Sequence, residues 1–120
     1  MWEVSYLPGA VPELDAVPAT EQAAIRHAVE KLEALGPQLP YPHSSDVRGS
    51  DDLRELRPRQ GRCPYRPLYA RVPGSFLIAA IGPDGKSDPR GFTAACRRAE
   101  ERLREWEKEK EKGPDDGQGT

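Results

Sequence analysis

Hydrophobic side chains recur along this chain with two different periods, and the changes of period divide it into elements. Apolar and polar residues alternate from Trp2 to Tyr6, which predicts a short first strand. Between residues 19 and 35 the apolar positions recur every three or four residues and predict an amphipathic helix that ends at Gly36-Pro37. A second stripe over residues 92–106 predicts another helix, with Asp88-Pro89 as its N-cap and first residue.

Three β-prone runs lie between the two helices, at residues 53–58, 65–72 and 75–81. Turns containing glycine or proline separate them, which indicates an antiparallel meander. The third run is apolar throughout, as expected of a central strand that is covered on both faces or flanked by neighbours. Pro67 cannot donate to a β-ladder, so it implies a bulge or a sheet edge. Residues 37–52 show no periodicity and are predicted to form a long connection.

The element order is therefore β-α-β-β-β-α, which predicts an α+β fold with a small, mainly antiparallel four-stranded sheet. Both apolar helix stripes need burial, and we expect the two helices to pack on one face of that sheet. The opposite face would then be open to carry a functional site. Residues 1–112 are predicted to form one domain, and residues 113–120 a disordered tail.

The net charge of −2 hides an uneven distribution along the chain. Residues 1–46 carry two basic and seven acidic side chains, whereas residues 47–104 carry thirteen basic and seven acidic ones. All basic residues of that middle segment except Lys86 are arginines, whose planar fork suits phosphate groups and base stacking. The middle segment could therefore bind a polyanion although the whole chain is mildly acidic.

Several classes of protein are disfavoured. No run of 18 apolar residues exists, and the N-terminus lacks the basic start and apolar core of a secretory signal. We therefore expect a cytoplasmic protein that does not enter a membrane. Cys63 and Cys96 are expected to be reduced thiols, and neither has the local spacing of a zinc site.

The run Leu53-Arg-Glu-Leu-Arg57, a glycine-containing loop, and Tyr65-Arg-Pro-Leu-Tyr69 resemble the HigB-like, phage-derived (Gp49-like) branch of the RelE/ParE toxin superfamily. A hydrophobic strand and an arginine- and glutamate-rich helix follow, as they do in that family. The resemblance implies a RelE-like fold and a toxin of a type II toxin–antitoxin pair. Such toxins enter the ribosome and cut messenger RNA without a metal or cofactor. Their partners are the ribosome, messenger RNA and a cognate antitoxin, here expected to be a helix-turn-helix protein.

The resemblance also implies which residues form the site. Metal-free RNA cleavage needs charge stabilisation at the scissile phosphate and the movement of protons. The predicted catalytic residues are Arg57, Arg66, Glu55 and Lys86. The residues expected to bind RNA around them are Arg54, Arg59, Arg62, Tyr65 and Arg90. His43 is a further candidate for moving protons. Strand alternation alone does not bring Arg57 and Arg66 together, because Arg66 shares its parity with Leu68 and Val72.

Other functions remain open at this stage. Glu55 and Arg57 could simply form an ion pair, and the tyrosines could simply pack. The family's lysine-rich turn before the last helix retains one lysine here, Lys86. A catalytically inactive relative that binds RNA or protein, a ParE-like gyrase inhibitor, and a phage accessory protein that shares only the fold are the alternatives.

Overall fold

The predicted helices and the meander form where the hydrophobic pattern placed them. A computed structural model describes residues 1–112, and the predicted disordered tail at residues 113–120 lies outside this part. Five strands and three helices follow one another in this part, namely β1 (Glu3–Tyr6), α1 (Ala10–Asp15), α2 (Ala19–Leu35), β2 (Ser44–Asp46), β3 (Arg54–Leu56), β4 (Tyr65–Val72), β5 (Ser75–Pro83) and α3 (Pro89–Lys112). The Asp88 side chain accepts a hydrogen bond from the Gly91 amide (2.9 Å) and caps α3 as predicted.

The α+β class is confirmed, but the sheet has five strands instead of four. Their order is β1-β5-β4-β3-β2, with β1 parallel to β5 and the other neighbours antiparallel. The additional strand, β2, lies within the predicted connection 37–52 and pairs with β3. Its three residues, Ser44–Asp46, are all polar, so the strand gives no hydrophobic alternation and was not predictable from periodicity.

The prediction that both helices pack on one face is wrong. Buried residues form two clusters, one containing Ile25 and Leu32 of α2 and the other containing Ala95 and Ala99 of α3. Neighbouring residues of β5 divide between them, with Ile78 in the α2-side cluster and Leu77 in the α3-side cluster. Since successive strand residues face opposite sides, α2 and α3 cover opposite faces of the sheet.

Irregular pairing beside Pro67 agrees with the expectation raised by that residue. The β3–β4 ladder pairs Glu55 with Leu68 and stops before Pro67, so the missing amide hydrogen leaves no gap in it. On the β5 side the register shifts between Leu68 and Tyr69, and Ala79 is the extra residue of the resulting bulge. A β-carbon on Gly82 would collide with Ala95, which shows how closely α3 crosses β5.

The outer edge of β5 is completed by side chains where β1 ends. The Ile81 amide donates to Glu13 Oε1 (3.0 Å), and the Ala79 carbonyl accepts from Arg102 (2.9 Å). Glu13 also accepts from Arg98 and Arg102 of α3, each at 2.9 Å from Oε2. One carboxylate of α1 therefore joins the sheet edge to α3. In the described part, no helix is long and apolar enough to cross a membrane.

The contacts of Glu13 predict that its ionised carboxylate stabilises the folded protein. Burial would raise the pKa of Glu13, but the hydrogen bonds from Arg102 and Ile81 and the charges of Arg98 and Arg102 outweigh it and leave the pKa below its ordinary value of 4.5. This stabilisation is complete above pH 4.5 and is lost as the pH falls through the lower folded-state pKa. We expect Glu13→Gln to reduce the free energy of unfolding by about 1–2 kcal/mol at pH 7.

Urea unfolding of the wild type and Glu13→Gln between pH 7 and pH 3 measures this difference, which should narrow in acid. Glu30→Gln is the matched control, because Glu30 is exposed and has the same charge. If the free energies of unfolding of the wild type and Glu13→Gln differed by the same amount at pH 3 and pH 7, the prediction would be contradicted.

Candidate functional site

Glu55 lies between two arginines at one end of the β3–β4 pair. Its carboxylate is 3.2 Å from Arg66 Nε and 3.8 Å from the guanidinium of Arg57, and it accepts a hydrogen bond from Ser45 Oγ (3.1 Å). The antiparallel register explains the grouping. Glu55 is opposite Leu68 in the antiparallel ladder. Arg57 follows Glu55 by two residues and Arg66 precedes Leu68 by two residues, so both arginines come to the face that carries Glu55. No bulge is needed to bring them together.

Arg66 faces the interior, and each of its three guanidinium nitrogens contacts an acceptor within the chain. Its exposed fraction is 5%, and Nε is occupied by Glu55. One terminal nitrogen donates to the Cys63 carbonyl and the other to the Gly61 carbonyl (3.1 Å). The phosphate contact expected of Arg66 stays a prediction, and the structure adds that each guanidinium nitrogen already has a partner within the chain. Arg66 therefore holds the segment between β3 and β4 in place and positions Glu55.

Arg57 is oriented by its neighbours and reaches the surface. Its Nε donates to the Pro42 carbonyl (3.0 Å), and its guanidinium lies 5.0 Å from the centre of the Tyr41 ring. A β-carbon on Gly61 would collide with this guanidinium, and Gly61 has a φ of +96°, so only glycine fits well there. Arg57 is thus preorganised, and 20% of its side chain is exposed.

Lys86 lies in the turn between β5 and α3, and the adjacent Arg90 lies in the first turn of α3. Both are exposed. Asp84 organises the turn by accepting the Lys86 and Ser87 amides, both at 2.9 Å. Burial would raise the pKa of Asp84, but the hydrogen bonds of Ser87 and Lys86 and the charge of Arg66 keep it below its ordinary value. The Asp84 amide donates to the Pro64 carbonyl (2.9 Å), so this turn adjoins the segment that Arg66 holds.

The remaining predicted residues do not join this cluster. Arg54 has the opposite parity to Glu55, and it pairs with Asp46 and donates to Ser44 Oγ (3.0 Å). Arg59 pairs with Glu21 of α2 (2.7 Å). Tyr65 packs against the α2-side core, in agreement with the simpler role considered for it, whereas Arg62 is exposed.

Sequence reasoning missed two neighbours of the cluster. Ser45 was assigned to a loop, yet it hydrogen-bonds Glu55 from β2. Tyr41 is 69% exposed although it is aromatic, and it covers the Arg57 guanidinium. An aromatic residue beside three prolines in a long connection was the one sequence signal that could have indicated Tyr41.

The two thiols lie in surroundings that keep them protonated at neutral pH. Burial raises the pKa of Cys63 and of Cys96 to about 11 in each case, so both stay protonated. Within residues 1–112, no three histidine, cysteine or acidic side chains are grouped so that they could hold a metal ion.

The sequence matches the family of phage-derived Gp49-like proteins over residues 12–104, which is most of the chain. The chain belongs to the Gp49-like family. No curated protein sequence is significantly similar to it.

Solved structures show that the Gp49-like chain has the fold of RelE toxins, as the sequence resemblance implied. A mutant of the E. coli RelE toxin in the free state superposes with a TM-score of 0.58 at 13% identity, covering 81% of this chain and 96% of the toxin. The isolated E. coli RelE toxin gives 0.56 at 15% identity, covering 82% and 98%. The RelE–RelB complex of Pyrococcus horikoshii gives 0.53 at 22% identity, covering 71% and 97%.

The buried position of Arg66 in this Gp49-like protein makes a prediction. Arg66→Ala would remove the buried ion-pair partner of Glu55 and the side-chain donor to the Gly61 and Cys63 carbonyls. Removing one partner of a buried pair costs about 3–5 kcal/mol, so we expect a loss of this size in the free energy of unfolding. Urea unfolding measures it, with Arg62→Ala as the matched control because Arg62 is exposed and lies only four residues away. Equal stability of the two variants would show that Arg66 does not hold this segment.

Proposed function

We propose that this protein is the toxin of a type II toxin–antitoxin pair and that it inhibits translation by cutting messenger RNA in the ribosome. Membership of the Gp49-like family together with the RelE toxin fold is the observation that carries the proposal. Its antitoxin would be a helix-turn-helix protein. The archaeal RelE with this fold was crystallised with RelB, which supports a proteinaceous partner for the present chain.

The arrangement of charges supports an RNA substrate. Arg57 is fixed by the Pro42 carbonyl and the Tyr41 ring, so its guanidinium is available to a phosphate with little loss of side-chain freedom. Lys86 lies on the adjoining turn and Arg90 in the first turn of α3, and both are exposed. In this proposal they contact the same RNA strand as Arg57. In this proposal Arg57 and Lys86 stabilise the charge of the cleavage transition state, with Glu55 positioned by Arg66 beside them.

The hydrogen bonds that Arg66 makes within the protein support a second candidate function. With Arg66 buried and the 83–88 turn organised by the carboxylate of Asp84, fewer cations face a substrate than the family resemblance implied. A relative that binds RNA or protein without cleaving it, or a ParE-like inhibitor of gyrase, would fit this arrangement.

Controlled expression in bacteria tests the proposal. We expect growth arrest within minutes of induction, relieved when the neighbouring gene that encodes the antitoxin is co-expressed. Mapping transcript 5′ ends by primer extension should show discrete new cuts within codons. Intact transcripts together with DNA damage would support the gyrase inhibitor instead, and normal growth would contradict both toxin functions.

Arg57→Ala provides the residue-level test. Loss of its guanidinium should reduce the frequency of transcript cuts by about 100-fold, the cost of removing one preorganised electrostatic group. Arg97→Ala is the control, because Arg97 is an exposed arginine on α3, and it should cut as the wild type does. Melting temperatures of both variants establish that they are folded. Full cleavage by a folded Arg57→Ala variant would show that Arg57 is not part of the site.

A further inference from the structure

A pocket of about 280 Å³ opens between α2, His43 and the segment 57–59. Its polar lining consists of Lys31, Arg57, Arg59, His27 and His43. The remainder is apolar and includes two small alanines of α2, whose size leaves the space open. The volume is just below the range of pockets that bind drug-sized ligands, and it is ample for a phosphate group.

The side chains that line this α2 pocket carry positive charge and no negative charge. Its lining carries three permanent cations and two imidazoles, and none of the carboxylates in the described part of the chain lines it. Glu21 neutralises Arg59 at the outer rim, and Glu55 lies 3.8 Å from Arg57 on the far side. Lys31 has no carboxylate within ion-pair distance among the described residues, so the pocket has uncompensated positive charge.

Lys31 and His43 are arranged to donate to an anion. Lys31 Nζ lies 3.4 Å from His43 Nδ1, and an ammonium group can only donate. The His43 ring has a second nitrogen, Nε2, that does not take part in this contact. The ammonium group retains two further hydrogens. Lys31 and His43 can therefore both offer hydrogens to an oxyanion that occupies the pocket.

The backbone beside the pocket is held in an uncommon conformation. Arg59 and Gln60 have φ values of 54° and 58°, in the left-handed region that costs residues other than glycine about 1–3 kcal/mol each. The segment keeps this conformation because Arg66 binds the carbonyls of Gly61 and Cys63 next to it. The buried arginine thus maintains the wall that presents Arg57 and Arg59.

We propose that the α2 pocket binds a phosphate group. Tyr41 indicates which class of molecule carries that phosphate group. It is 69% exposed and lies over the guanidinium of Arg57, which is itself part of the pocket lining. An exposed aromatic ring beside a cationic pocket is the arrangement that binds single-stranded nucleic acid, with a base on the ring and a phosphate in the pocket. RNA as the source rests on the proposed function, whereas the phosphate site itself does not.

Titration of the purified full-length protein with a short single-stranded RNA and, separately, with inorganic phosphate tests the proposal. Nuclear magnetic resonance of the imidazole groups reports on the pocket directly. We expect both ligands to shift the His27 and His43 resonances, RNA at the lower concentration. Shifts with inorganic phosphate alone would overturn RNA as the source, and no shift with either ligand would overturn the site.

Variants then separate the two parts of the site. Lys31→Ala should weaken both RNA and phosphate binding about tenfold, since it removes one charge-assisted contact. Tyr41→Ala should weaken RNA binding by a similar factor and leave phosphate binding within twofold, because only a base needs the ring. The slope of log affinity against log salt for RNA should fall by about 1 in Lys31→Ala.

Arg97→Ala is the control, an exposed arginine on α3, which covers the opposite face of the sheet. It should change RNA affinity less than twofold. Weakening equal to that of Lys31→Ala would show diffuse electrostatic binding and overturn the pocket. These measurements need neither growth arrest nor RNA cleavage, so a failed toxin assay with intact Lys31-dependent binding would contradict only the proposed function.

Discussion

A guanidinium group buried beside a turn must find an acceptor for each of its nitrogens, and Arg66 does so with Glu55 and the carbonyls of Gly61 and Cys63. Those contacts fix the path of the chain between β3 and β4, including the left-handed residues that precede β4. The same segment receives the Asp84 amide from the turn before α3. Two neighbouring loops therefore depend on the desolvated ion pair between Arg66 and Glu55. An apolar residue in place of Arg66 could not donate the hydrogen bonds that hold these loops.

The cations of this protein differ in what their side chains contact. Arg66 and Arg102 spend their hydrogen bonds on carbonyls and carboxylates within the chain. Lys31 and Arg57 reach a pocket without carboxylates in its lining. The uneven charge of the sequence is thus only partly a binding surface, because a buried arginine such as Arg66 contributes to the charge count while it donates hydrogen bonds within the chain.

Low identity to the RelE toxins, between 13% and 22%, accompanies a shared arrangement of strands and helices. In the present chain this framework is an apolar β5 covered by α2 on one face and by α3 on the other. Surface residues are free to vary on such a framework. In this Gp49-like protein an acidic residue, Asp84, organises the turn before α3, and a cationic pocket lies beside α2.

The sequence by itself determined the two long helices and the β3–β4–β5 meander, because hydrophobic periodicity records which side of each element is buried. It also contained the sign that helices cover both faces, since Ser75–Pro83 is apolar almost throughout, although we expected one covered face. It did not reveal β2, because the three residues of that strand are all polar and give no hydrophobic alternation. Only the tertiary structure decided that Arg57 and Arg66 share Glu55, because the register between strands is a long-range property. The α2 pocket likewise exists only when three separate segments meet.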